Sequence, residues 1–147
     1  MKRQVLMIVV VGLLLAADQP KSDATRKEIK DFQGTWKWVS LEMDGKKLPL
    51  DAFKDGMLVI TGDKFTTSLV EGTSHGTFKV DVSKKPKTID VTFEDGPDKG
   101  KTMPGIYELK GDTYKVCMAL AGKDRPTAFA TKPESGHVLE VLKRQKR

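Results

Sequence analysis

Three short polar clusters hold the residues whose types and spacing could support chemistry in this sequence. The first is Ser74-His75, which places a nucleophile beside a base between Gly72 and Gly76. Adjacent residues in a turn rarely point at each other, and the Gly-x-Ser-x-Gly elbow that exposes a nucleophilic serine is absent. We therefore interpret Ser74-His75 as a polar hairpin tip and assign no catalytic residue there.

The second cluster is the acidic loop from Glu94 to Asp98, whose carboxylates could attract calcium. It lacks the alternating ligand spacing of an EF-hand loop, and Ile106 stands where the bidentate glutamate would be. Its glycine and proline form turns, so we expect a solvated loop. Because His75 and His137 are the only histidines, one chain cannot build a multi-histidine site. We predict no metal and no cofactor.

The third cluster is Asp124-Arg125-Pro126-Thr127. An arginine in a loop at the mouth of a barrel could clamp a carboxylate or a phosphate with two hydrogen bonds. It could equally fix the loop through Asp124 or a backbone carbonyl, and the sequence favours this structural role. Arg125 is kept as a candidate ligand-binding residue.

Cys117 is the only cysteine of the chain, so no internal disulfide can form. It lies in the apolar run from Val116 to Ala119 and is expected to pack as a small hydrophobic residue. No histidine or arginine flanks it, which argues against a reactive thiol. The fold must then be stabilised by its hydrophobic core.

Residues 1–17 have the pattern of a secretory signal peptide. Lys2 and Arg3 precede an apolar run from Val5 to Leu15, and two alanines supply small residues before Asp18. The run is shorter than the ~20 apolar residues that a membrane-spanning helix needs. We predict export to the periplasm or out of the cell, with no membrane span once the leader is removed. An uncleaved anchor is the alternative, because the −3 residue is a leucine.

The formal net charge of +6 belongs to the two ends of the chain. Without the basic residues of the leader and of the segment from Lys143 to Arg147, basic and acidic residues balance over 18–142. No basic stripe interleaved with aromatic residues remains, which argues against nucleic-acid binding. The basic tail, residues 145–147, is expected to be a solvated terminus rather than a contact to an anionic surface.

Residues 18–31 are polar and are interpreted as a linker, with a short helical turn around Thr25 to Ile29. Leu48 to Asp55 is a second candidate helical turn. The remaining apolar runs alternate with turn signals, and the run 87–93 alternates most clearly. The predicted strands are Thr35–Met43, Met57–Thr61, Lys64–Val70, Thr77–Asp81, Lys87–Phe93, Lys101–Leu109, Thr113–Ala119 and His137–Arg144. We predict an all-β domain over 32–144, an eight-stranded antiparallel up-and-down barrel.

The tripeptide Gly34-Thr35-Trp36 stands at the start of the first strand. A glycine there lets the chain turn into the floor of a barrel, and the indole closes that floor. Eight strands enclose an interior that side chains fill, or that holds one small ligand. A filled interior is the commoner outcome.

From about Phe32 to Arg144 the chain resembles a lipocalin-like family of small exported planctomycete proteins of uncharacterised function. The resemblance rests on 33–36 with Val39-Ser40, on 44–49, on 76–78, on 85–90, on 95–97 with 99–100, on 105–107, on 125–126 and on 139–144. It implies an exported lipocalin-like β domain and brings no catalytic residue and no ligand. In lipocalins an arginine on the last strand covers the tryptophan, which implies that Arg144 lies across Trp36. Disulfides typical of lipocalins are missing.

We therefore expect an exported, monomeric, non-enzymatic binding module, possessing neither an acid–base pair nor a metal set. The best hypothesis is a small, partly apolar ligand in the open end of the barrel, lined by Trp38, Tyr107, Tyr114 and Arg125. The alternative is a solid-core domain that acts through its surface on an envelope or secreted protein. Fold alone does not choose between the two.

Overall fold

A computed structural model of the protein describes residues 21–146. The signal peptide predicted over 1–17 lies outside the described residues, as do the first residues of the predicted linker and Arg147. Within the described part of the chain, no helix is long and apolar enough to cross a membrane.

Helix α1 spans Asp23–Phe32, where the sequence predicts a linker with one turn. Ser22 caps it, because its hydroxyl accepts a hydrogen bond from the Thr25 amide at 3.1 Å. At the other end Gln33 ties the helix to the barrel, since its side chain accepts from the Gly62 amide at 2.7 Å. Phe32 is fully buried. The linker prediction is therefore wrong for this segment, because Phe32 is buried inside the barrel and Ile29 packs against the same core.

Nine strands follow, with a 3₁₀ turn at Leu50–Ala52 inside the predicted helical turn. Their bounds are β1 Gly34–Met43, β2 Lys46–Lys47, β3 Met57–Thr61, β4 Lys64–Leu69, β5 Gly72–Asp81, β6 Lys87–Phe93, β7 Thr102–Lys110, β8 Thr113–Ala119 and β9 His137–Arg144. β2 only extends the end of β1, pairing Glu42 with Lys47.

The other eight strands form a closed antiparallel barrel. From β3 to β9 each strand pairs with the next along the chain, and β1 pairs with both β3 and β9 to close the ring. A bulge between Trp38 and Ser40 shifts the β1–β9 register. The predicted all-β, eight-stranded up-and-down barrel is confirmed.

The predicted turn at Gly72 to Gly76 is instead the first half of β5. Ser74-His75 thus lies in a strand, and the hairpin from β4 to β5 turns at Val70-Glu71. A Cβ at Gly76 would lie 2.2 Å from the Thr92 carbonyl oxygen, so the glycine serves close strand packing rather than a turn. Glycine frequency alone does not separate these two uses.

We name the two ends of the barrel the base and the mouth. The base is where β1 begins, where β9 ends, and where the turns at Gly62-Asp63 and Gly111-Asp112 lie. Both ends of the described segment leave at the base. Lys21 forms an ion pair with Asp63 (3.7 Å), and the Gln145 amide donates to the Thr35 carbonyl at 2.7 Å. The mouth is formed by the connection from β1 to β3, by the β4–β5 and β6–β7 connections and by the long segment between β8 and β9.

Candidate ligand-binding cavity

Phe32 separates the base from the rest of the barrel interior. Its ring centroid lies 5.5 Å from that of Phe78, 5.2 Å from that of Tyr107 and 5.1 Å from that of Tyr114. The contacts with Phe78 and Tyr114 are edge-on, the arrangement that the charge distribution of aromatic rings favours. The end of α1 thus fills the lower part of the barrel with one aromatic cluster.

Trp36 and Arg144 close the base beneath this cluster. Trp36 is fully buried, and its indole N–H donates to the Phe32 carbonyl at 2.8 Å. The Arg144 guanidinium carbon lies 4.3 Å from the Trp36 ring centroid, and the guanidinium also donates to the carbonyls of Asp31 and Gln33. Gly34 has a φ of +122°, which favours glycine. The structure thus places the three residues predicted for the base, Gly34, Trp36 and Arg144, in one cluster.

Above Phe32 the barrel interior is not filled. A partly enclosed cavity of about 140 Å³ remains, and its lining is almost entirely apolar. The lining residues are Phe32, Trp38, Leu58, Ile60, Phe65, Thr67, Leu69, Phe78, Ile89, Val91, Phe93, Tyr114, Val116, Met118 and Glu140. Such a volume is unusual, because protein interiors are normally packed without voids larger than a water molecule.

Glu140 is the one carboxyl among these lining residues. It lies on β9 opposite Val116 and Leu41, and its Oε2 accepts a hydrogen bond from the Trp38 indole N–H at 3.1 Å. Burial among apolar side chains raises the pKa of Glu140 to about 7, although the Trp38 bond favours the charged form. This carboxyl therefore changes charge near neutral pH.

Tyr114 is the other titratable group that lines the cavity. Burial raises the pKa of its phenol, and the nearby Glu140 carboxyl adds to the effect. The phenol is therefore neutral across the physiological range. The cavity combines an apolar wall with a few polar groups on one side, which is the usual composition of a small-molecule site.

Two of the four predicted lining residues, Trp38 and Tyr114, lie on the cavity. Tyr107 points inward but lies in the aromatic cluster around Phe32. Its hydroxyl donates to the Glu28 carboxylate of α1 at 3.0 Å, and burial raises the pKa of Tyr107. Tyr107 therefore joins the helix to the barrel and does not line the cavity.

Arg125 does not line the cavity either. Its guanidinium donates to the carbonyls of Ile89 (3.0 Å) and Gly105 (2.8 Å) and to the Asp90 carboxylate (2.7 Å). Asp90 is on the outward face of β6, because its neighbour Ile89 points inward. Arg125 thus fixes the β8–β9 connection to the outer wall, the structural role that the sequence favoured, and its placement as a ligand clamp at the mouth is corrected.

The neighbours of Ser74-His75 include an acidic residue from the Glu94–Asp98 loop, which the sequence predicts to be solvated. Asp95 Oδ2 lies 2.7 Å from His75 Nδ1, and Asp95 Oδ1 accepts from the His75 amide at 2.7 Å. Both hydrogen bonds lower the pKa of Asp95, and the bond from the His75 amide has the larger effect. The pair is exposed and fixes the β6–β7 loop against β5. Among residues 21–146 no group of three histidine, cysteine or acidic side chains could hold a metal ion.

Cys117 is buried on the outward face of β8, beneath the β8–β9 connection. Its Sγ lies 3.7 Å from the Ala130 carbonyl oxygen, and burial raises the pKa of the thiol. Because it is buried, the side chain packs as a small hydrophobic residue. Its thiol stays protonated and is therefore a weak nucleophile.

Glu140 is the site residue that the sequence analysis missed. Its neighbours two positions away, Val138 and Leu142, are buried and share its inward side of β9. A charged residue between two inward apolar positions breaks the period of two, and this break is a usable signal for a functional residue. The register of the last strand was needed to recognise it.

Comparison with known proteins adds little to this geometry. No family model matches the chain, and no curated protein matches it. Among solved structures, the chain is similar to a DUF4847 family protein from Bacteroides vulgatus ATCC 8482. The two share 15% identity over 78% of this chain and 94% of the other, with a TM-score of 0.48. The resemblance to the planctomycete family stays a prediction.

Proposed function

We propose that the protein is an exported, non-enzymatic binding module that holds one small, partly apolar ligand inside its barrel. The observation that carries the proposal is the cavity of about 140 Å³ beside Glu140. A void of this size weakens a core by removing contacts, so a protein that keeps one gains most when a ligand fills it.

The volume of the cavity limits the size of the ligand. An apolar cavity of about 150 Å³ in another protein takes up benzene. The cavity here has a similar volume and is partly open, so it suits a ligand with a body of about benzene size, roughly six to eight non-hydrogen atoms, rather than a long lipid. A ligand that extends past Leu69 towards the mouth could be longer by the part that stays in solvent.

Two further observations support export and a non-enzymatic role. The N-terminal pattern of residues 1–17 is typical of a signal peptide. In the described part of the chain, the cavity brings Glu140 together with the neutral phenol of Tyr114 and the indole of Trp38. Neither of these two rings is a nucleophile at neutral pH. A binding role is therefore the simpler account.

Native mass spectrometry of the protein purified gently from its own host tests the proposal. We expect a reproducible mass excess of a small organic molecule, which denaturing conditions remove. A bare polypeptide mass, together with no detectable binding of benzene-sized probes in solution, would contradict the proposal.

A matched pair of variants shows whether the ligand occupies the cavity. Thr67 points into the cavity, whereas its neighbour Thr66 lies on the opposite face of β4. Thr67→Phe should fill the cavity and abolish the mass excess, while Thr66→Phe adds the same volume outside and should retain it. Thermal unfolding of both variants establishes that each one is folded.

The second candidate function is a surface that binds a protein partner. Several large apolar side chains at the mouth are exposed, above all Val70 (79% exposed) and Leu50 (62% exposed). Exposed apolar residues that cluster at one place often mark an interaction site. Val70→Ser with Leu50→Ser should then weaken capture of an envelope or secreted partner and leave small-molecule binding unchanged.

A further inference from the structure

The charge on the wall of the cavity has one sign. Glu140 is the acid, and no lysine or arginine is found among the lining residues within the described segment. The one side-chain hydrogen bond that the described residues give Glu140 comes from Trp38 and occupies Oε2. The other carboxyl oxygen is thus left for a donor inside the cavity, and a ligand carboxylate would meet no cation there.

We propose that the ligand of this cavity is a small protonated amine with an apolar body, whose ammonium group donates hydrogen bonds to the Glu140 carboxylate. This inference rests on the proposed function, because it assumes that the cavity holds a ligand. It adds the chemical class of that ligand and the residue that selects it.

The aromatic residues around the carboxyl also favour a cation. Trp38 and Tyr114 lie on the strands that flank β9, and both line the cavity together with Glu140. Ring faces attract ammonium groups, most strongly where water is excluded. Phe65 and Phe93, in edge-on contact at 5.4 Å, provide an apolar wall for the body of the ligand.

The size of the cavity fits an amine with a single ring or a short branched chain. A benzene-sized body would occupy the apolar part of this partly open cavity, and its single ammonium group would lie beside Glu140. Larger polyamines are disfavoured, because a second ammonium group would face the apolar wall without a counter-charge.

Binding of such an amine should depend on the ionisation of Glu140. Burial raises the pKa of Glu140 to about 7, so its carboxylate form dominates only above neutral pH. Of the groups near it, Tyr114 stays neutral, while Cys117 and Glu42 lie on the outward faces of β8 and β1. Amine affinity is therefore expected to rise from pH 5.5 to pH 8.

Isothermal titration calorimetry of the full chain with four probes of similar shape tests the inference. The probes are benzylamine, benzyl alcohol, toluene and benzoic acid. At pH 8 we expect benzylamine to bind about tenfold or more tightly than benzyl alcohol or toluene. At pH 5.5 its affinity should fall about tenfold, while those of the two neutral probes change little.

Two variants separate the charge of Glu140 from its shape. Glu140→Gln keeps an acceptor for the Trp38 indole and should weaken benzylamine binding at pH 8 about 10- to 100-fold, with toluene binding unchanged. Glu108→Gln is the matched control, since it removes one negative charge from the outward face of β7. It should leave all four affinities unchanged.

The possible failures are distinguishable. If toluene or benzyl alcohol binds as tightly as benzylamine, or Glu140→Gln has no effect on benzylamine, the inference is overturned and the binding function stands. Tightest binding of benzoic acid at pH 5.5 would likewise replace the amine with a carboxylic acid that shares a proton with Glu140. If no probe binds at either pH, both the inference and the proposed function fail.

Discussion

The two tryptophans of β1 lie two residues apart on the same inward side, yet their surroundings differ. At the base, Trp36 donates its indole N–H to a backbone carbonyl, and Arg144 covers its ring. Nearer the mouth, Trp38 donates to a side-chain carboxyl and borders an unfilled cavity. The same residue type thus completes a packed core in one place and holds a carboxyl group at the wall of a cavity in the other.

The charged partners of the two tryptophans, Arg144 and Glu140, also differ in their surroundings. Both lie on the inward side of β9, four residues apart. Arg144 keeps contact with solvent and shares its charge among the Asp31 and Gln33 carbonyls and the Asp112 carboxylate, 3.0 Å from its Nε. Glu140 has a single neutral donor. Several partners offset the cost of removing a charge from water, whereas a buried carboxyl with a single partner resists ionisation.

The largest effect is expected from Trp36→Ala at the base. It removes a fully buried indole and leaves the Phe32 carbonyl without its donor, so the free energy of unfolding should fall by about 3–5 kcal/mol. Urea denaturation measures this loss. Trp38→Ala should cost at least about 1 kcal/mol less, because a side chain beside a cavity has fewer contacts to lose. Equal losses would remove the distinction between the two regions.

Glu140→Gln should have the next largest effect on the free energy of unfolding, and this effect should depend on pH. The folded pKa of about 7 lies above the ordinary 4.5, so the folded protein binds the proton more tightly than the unfolded chain. The Glu140 contribution to stability is thus highest below pH 4.5, falls as the pH rises to about 7 and then stays constant. At pH 8 the variant should be more stable than the wild type by about 3 kcal/mol.

Denaturant titrations at several pH values measure the difference between the two proteins, in which the other ionisable groups cancel. A difference that is independent of pH between 4 and 8 would show that Glu140 has an ordinary pKa. The cavity would then lack the poised carboxyl that sets it apart from the base.

Arg125→Gln is expected to have a smaller effect on stability and none on the cavity. It removes hydrogen bonds to two carbonyls and to Asp90 on the outer wall, which should cost about 1–2 kcal/mol. Hydrogen exchange in 120–136 should become faster. Weaker binding of a cavity ligand in this variant would restore Arg125 to the site.

Arg144→Lys should have the smallest effect, about 1 kcal/mol. A lysine keeps the charge near Trp36 but cannot reproduce the planar set of donors that spans the Asp31 and Gln33 carbonyls. Thermal unfolding measures the change, and ligand binding is the control. An unchanged melting temperature would show that the ring contact alone closes the base.

Local patterns in the sequence were sufficient to predict the barrel. Alternation in the run 87–93 and the turns at Gly62 and Gly111 are set by neighbouring residues, so the strands follow from them. α1 was missed because its formation depends on where Phe32 packs, which is a tertiary contact. Gly72–Gly76 was misassigned because glycine serves both turns and close packing.

The candidate site was less predictable. Trp38 and Tyr114 were placed correctly because aromatic residues on inward positions line any barrel interior. Arg125 was kept as a candidate because nothing local shows on which side of the wall a loop packs. The cavity depends on the combined side-chain volumes of residues from many strands, so no single residue indicates it. Glu140 required the register of β9.

Both ends of the described segment leave from the base, held by the Lys21–Asp63 ion pair and by Gln145 against β1. A tether added at either end would therefore attach the molecule to a solid support with its mouth turned towards the solution. A sensor chip loaded in this way would present every copy in a single orientation. Immobilisation through mouth-side lysines such as Lys99, Lys123 or Lys132 would cover the entrance and give lower capacity for the same probe.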